Sequence, residues 1–211
     1  MGGGYLAIKR RIHILTRDLS NTLKYGKNAP YYGQTIFISP ASCNDFMITE
    51  WGRKHSGNVV DGDWDLKTIP LMEYPKFKFC IQHWQEGLSW KETGAYDFLL
   101  GLIAKKGGPV DNCLTLPDVI RRYEVLDTIF DQLSDNTKFY LRKQLYPENF
   151  RETGGIFFHI NRHNAPIFGG GGVHRLAMSK ILKFDIIPAQ LGVVHKDAIK
   201  SWASLKKKPN A

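Results

Sequence analysis

Four consecutive glycines, Gly169-Gly170-Gly171-Gly172, stand between an apolar run and a helical pattern, and they constrain this chain more than any other stretch. Before them come Ile156-Phe157-Phe158-His159-Ile160 and Ala165-Pro166-Ile167-Phe168, both β-prone. After them Leu176, Ala177, Met178, Ile181 and Leu182 share the spacing of one helix face. The pattern is a strand, a glycine loop and a helix start. Glycine tolerates positive φ and lets a ligand approach the main chain, while the free N–H groups of a first helical turn point into such a loop. A phosphate suits it, held by Gly169, Gly170, Gly171, Gly172 and Val173, with His174 and Arg175 adding side-chain donors and Arg175 a fixed charge. The alternative is a tight strand-to-helix turn that holds nothing.

The loop is neither of the two common phosphate motifs. Val173-His174-Arg175 follows the glycines where a Walker A loop needs Gly-Lys-Ser/Thr, and no acidic residue follows at the distance a dinucleotide fingerprint requires. Residues 156–167, Gly171-Gly172-Val173-His174-Arg175-Leu176-Ala177, a helix to about Lys183 and Ile186-Ile187-Pro188-Ala189-Gln190-Leu191-Gly192-Val193 together resemble the ParB/sulfiredoxin superfamily. Gln34-Thr35-Ile36-Phe37-Ile38-Ser39-Pro40 is similar to that fold's first strand. The resemblance implies an α+β fold, a ParB/sulfiredoxin-like small mixed sheet with flanking helices and a helical insertion. It also implies a nucleoside di- or triphosphate (ATP, ADP or CTP) as ligand. Sulfiredoxins carry a reactive cysteine at the position held here by Val173, and an isopropyl group cannot replace a thiolate nucleophile. Sulfiredoxin activity is therefore not expected.

Four regions follow from the same reading: a basic segment over 1–30, a core from 31–74 and 151–200, a helical insertion over 75–150, and a basic tail over 201–211. Residues 5–15 suit either a strand or a short helix. Residues 34–38 read as a strand, and Pro40 starts a connection with room for a short helix through Phe46. In the insertion, Val119, Ile120, Tyr123, Leu126, Ile129, Phe130 and Leu133 recur at helical spacing, with Thr115-Leu116-Pro117-Asp118 as the helix entry. Trp84 to Thr93 reads as a helix end, a glycine turn and a new capped start. Arg121 and Arg122 suit a phosphate contact or a salt-bridged face.

The second candidate site is Asp61-Gly62-Asp63-Trp64-Asp65. Three carboxylates at alternate positions share one side of an extended strand or crowd one turn, and a cation or proton relieves their repulsion. Mg²⁺ on Asp63 and Asp65 and on nucleotide phosphates would do so, leaving an aspartate, Asp61 among them, to orient or deprotonate a hydroxyl. The alternative is an Asx-rich turn that caps backbone N–H groups. Arg53, Lys54 and His55 suit neutralising the aspartates or binding a substrate anion. His159 shares a strand face with Asn161 and His163 if alternation holds, and faces either the ligand or the interior.

The formal charge of +9 favours anionic partners, nucleic acid among them. Three widely spaced cysteines imply no zinc site or disulfide framework and fit a reducing, cytoplasmic location. No long apolar span is present, so no membrane partner is expected. The leading functional expectation is a nucleotide-binding phosphotransferase or phosphohydrolase, with Asp61, Asp63, Asp65 and His174 catalytic and a small hydroxyl-bearing compound or water as acceptor. The alternatives are a ParB-like DNA-binding or nucleotide-switched protein, and a metal-dependent nuclease acting on nucleic acid. No basic helix-turn-helix emerges from the insertion.

Overall fold

The computed structural model describes residues 3–48, 51–136 and 138–208. Its helices are α1 (Gly3–Tyr25), α2 (Pro75–Trp84), α3 (Ala95–Lys106), α4 (Leu116–Asn136), α5 (Arg142–Leu145) and α6 (Val173–Ile181). Its strands are β1 (Thr35–Ile38), β2 (Asp45–Met47), β3 (Val59–Val60), β4 (Thr68–Pro70), β5 (Phe157–Ile160), β6 (Pro166–Phe168) and β7 (Ile187–His195). The chain divides into two units. One gathers the described residues up to Pro70, Tyr140–Gly172 and those from Asp185 onward. The other gathers Leu71–Phe139 and Val173–Phe184.

The first unit is built on one mixed sheet of seven strands, ordered β1-β7-β5-β6-β2-β4, with β3 also on β7. All nine residues of β7 are buried, so its sequence Ile-Pro-Ala-Gln-Leu-Gly-Val-Val-His is nearly continuous in apolar character where a half-exposed strand would alternate. Gln190 pairs with both Thr35 and Phe157, and Val194 with both Val59 and Ile160. The strand β7 therefore carries β1 and β3 along one edge and β5 along the other. The β5 register breaks between Phe158 and Ile160, opposite Leu191 and Val194, which leaves one extra residue in β7 at 192–193. The displaced Val193 N–H donates to Nδ1 of His159 at 3.0 Å.

Helix α1 settles the ambiguity of residues 5–15. Its buried residues Ile14 and Asp18 recur at helical spacing, and Asp18 accepts from the Tyr32 N–H at 2.9 Å and pairs with Arg151 at 2.6 Å. A helix through Phe46 does not form. A 3₁₀ turn at Pro40–Ser42 leads into β2, where Phe46 pairs with Ile69 and Phe168, so sheet pairing overrides the local signal. Near the other end Trp202 is fully buried and its Nε1 donates to the Asn28 carbonyl at 2.8 Å.

The second unit is helical, with Phe77, Cys80, Trp90, Leu99, Val119, Tyr123, Leu176 and Met178 in its interior. The expected entry to α4 is present: the Asp118 carboxylate accepts from the N–H groups of Leu114 and Thr115 and from the Thr115 hydroxyl. Gly87, at φ +81°, ends α2 in the left-handed region. One carboxylate gathers the aromatics: Asp127 accepts from the indole N–H groups of Trp84 and Trp90 at 2.9 and 3.0 Å and lies 3.1 Å from Nε2 of His83. Helix α6 stops at Ile181, short of Lys183, which is itself left-handed at φ +55°. No helix among the described residues is long and apolar enough to cross a membrane.

Candidate functional site

Each of the four glycines has a local reason to be glycine. Gly170 and Gly172 sit at φ +86° and +83°, where a side chain is strained. A Cβ on Gly169 would lie 2.6 Å from both Nε2 of His159 and the Phe157 ring, and one on Gly171 would meet the Arg53 guanidinium. The loop folds back on β5, with the Gly169 N–H donating to Phe157 O at 2.8 Å and the Phe157 N–H to Gly171 O at 2.9 Å. The N–H groups of Gly170, Gly171 and Gly172 donate to no backbone carbonyl among the described residues.

Arg53 is the cation that reaches this loop in the first unit. It rises from a 3₁₀ turn, Arg53–His55, and its guanidinium donates to Gln190 Oε1 and, at 2.8 Å, to Gly155 O. It also lies 5.3 Å above the Phe157 ring. Among the described residues no carboxylate oxygen comes within 4 Å of it. Burial lowers its pKa, Tyr32 opposes that, and the nearby positive charge of Arg142 adds to it. Arg142 lies over the Tyr146 ring, and its Nε is buried without a hydrogen bond.

Two fully buried side chains complete the cluster. Gln190 accepts from Arg53 and from the Gly154 N–H through Oε1, but its Nε2 makes no hydrogen bond among the described residues. His159 accepts the Val193 N–H at Nδ1, which puts its proton on Nε2, and Nε2 likewise makes no bond of ordinary geometry although the Trp51 main chain approaches the ring. Burial pushes the His159 pKa down to about 3, so the ring is neutral at pH 7. A buried N–H without an acceptor is costly, and Gln190 Nε2 is such a donor among the described residues. His55 lies 5.0 Å from the Trp51 ring, edge to face, beside Arg53 in sequence.

The other expected residues go elsewhere. His174 belongs to the second unit, buried with its ring 6.1 Å from Tyr123. Burial first, then the charges of Arg122 and Lys76, lower its pKa to about 3. It is a neutral, buried residue packed within the helical unit, so any donor or catalytic role for it would be that of an uncharged imidazole. Arg175 is half-buried and already engaged.

The aspartates lie on a turn that leads into a 3₁₀ helix at Trp64–Leu66 and not on an extended strand, and two of them meet at Arg162. Asp65, buried, accepts from the Arg162 main-chain N–H at 3.0 Å and from Nε and Nη2 at 3.0 and 2.7 Å. Asp63 is exposed and takes Nη2 of the same Arg162 at 2.7 Å, while Asp61 pairs with Lys196 at 2.7 Å. Among the described residues no group of three or more His, Cys, Asp or Glu is placed to hold a metal ion. The repulsion expected to call for Mg²⁺ on Asp63 and Asp65 is met by Arg162, and His195 adds an Nε2–H bond to the Gly62 carbonyl at 2.9 Å. The residues that neutralise the loop are thus Arg162 and Lys196, not Arg53, Lys54 or His55.

Sequence reasoning missed Gln190 and Arg142, and did not pair Arg162 with the aspartates. A signal existed only for Gln190, the lone amide in an otherwise apolar run. Comparison with family models, with curated proteins and with solved structures finds no match to this chain.

Proposed function

We propose that the first unit is a phosphate-binding module with a ParB/sulfiredoxin-like frame that holds a nucleotide by its polyphosphate and serves phosphoryl transfer or hydrolysis. The supporting observation is the set of donors packed on residues 169–172: the Arg53 guanidinium against Gly171, the His159 ring against Gly169, and three loop amides that find no backbone acceptor among the described residues. Such a set neutralises and positions an anion with donors already in place. Mg²⁺ would travel with the polyphosphate, and no carboxylate of the chain is assigned to it. The acceptor would be a small hydroxyl compound or water.

Thermal melts with ATP, ADP, CTP and GTP, each with and without Mg²⁺, test this reading. At a nucleotide concentration about a hundredfold above Kd the stabilisation is about 2.7 kcal/mol, roughly 5–10 °C for a chain of this length. Arg53→Ala abolishes the shift, and Arg53→Lys, which keeps the charge but not the fork, restores part of it. If no nucleotide moves the melt and only DNA does so, with the steep salt dependence of counterion release, the nucleotide reading is wrong.

A further inference from the structure

Independently of the phosphate reading, we propose that α1 lies on an anionic lipid surface. Ile12, Leu15, Leu19 and Leu23 are 58, 56, 61 and 81% exposed, an uninterrupted aliphatic stripe at spacings of three and four. They lie on the side of the helix away from Ile14, Asp18 and Asn21, which fasten it to the first unit; the Asn21 amide donates to the carbonyls of Pro30 and Gly57 at 2.8 Å each. The stripe therefore faces away from the body of the first unit.

Charge selects the occupant. Along α1 the sequence carries Lys9, Arg10, Arg11 and Lys24, besides Arg17, which is spent on the first unit through the Asn58 side chain and the Lys54 carbonyl, against a single acid, Asp18. That acid is enclosed by Arg151 and the Tyr32 N–H, so it offers no negative charge to a partner. A second copy laid along the stripe would set like charges against each other. Four side chains also offer far less than the roughly 800 Å² per partner of a standard interface. A lipid surface demands no matching patch: aliphatic side chains enter the headgroup boundary while each nearby Lys or Arg gains attraction to anionic lipid. The expectation of no membrane partner rested on the lack of a spanning segment, and a helix lying in the interface needs none.

Flotation of the full chain with phosphatidylcholine vesicles, with and without one third phosphatidylglycerol, tests the proposal. Recovery on the anionic vesicles exceeds that on neutral ones by about tenfold and falls with added salt. A Leu15→Glu, Leu19→Glu double variant drops to the neutral-vesicle level at an unchanged melting temperature, because both side chains are exposed. Equal recovery on both vesicle types overturns the proposal. So does binding that the double variant retains, which would make the contact one of basic residues alone. A wild-type dimer in sedimentation equilibrium that the double variant breaks, without vesicle binding, assigns the stripe to a second copy instead.

Discussion

Gly192→Ala is expected to cost about 3 kcal/mol or more of folding stability, read as a lower urea midpoint. A Cβ there would stand 2.7 Å from Nδ1 of His159 and 2.8 Å from the Phe158 carbonyl oxygen. Neither neighbour can yield cheaply. The carbonyl belongs to a central strand, and the imidazole is fully buried while accepting the Val193 N–H that the bulge leaves unpaired. Moving the ring breaks that bond and disturbs the Nε2 aimed at Gly169, so nucleotide binding weakens together with stability. Gly101→Ala is the control, because it sits inside α3 with nothing within 4 Å of a new Cβ and gains helix propensity. A midpoint for Gly192→Ala within error of wild type would refute the close approach.

The second large effect is at Asp65. Burial of its carboxyl raises the pKa, but the bonds from Arg162 and the charge of His195 outweigh that and hold it below the usual carboxylate range. A folded pKa below the unfolded one means stability that is present above the unfolded pKa and lost as pH falls through the folded one. Asp65→Asn keeps an acceptor but loses the charge and one oxygen, at a cost of about 2 kcal/mol at pH 7. The gap between wild type and variant closes on acidification below about pH 4. Paired melts across pH check this, and a gap that persists in acid would remove the carboxylate from the explanation. Asp63→Asn changes far less, since Asp63 is exposed and makes one contact.

The sequence was most informative where periodicity and capping act locally. The strand at 34–38, the entry to α4 and the glycine turn after α2 need only neighbours a few residues away. The strand–loop–helix passage around residues 169–172 was legible for the same reason. What stayed hidden depends on distant partners. Arg162 meets Asp65 across 97 positions and Arg53 meets Gln190 across 137, and no spacing rule links such pairs. The same limit explains His174. A histidine at a helix start reads as a donor in one dimension, yet its surroundings are Tyr123 and Arg122, fifty residues upstream. Phe46 was misread because its environment is the sheet and not its own turn.

The pairing pattern of β7 also bears on how the protein is made. A ribosome releases β1, β3 and β5 long before residues 187–195, the segment that all three must clasp. Until it emerges they have no partner there, and their greasy edges stay open to one another and to other nascent chains. Assembly thus waits for that one segment, so refolding after dilution from denaturant should be slow and yield should drop as protein concentration rises.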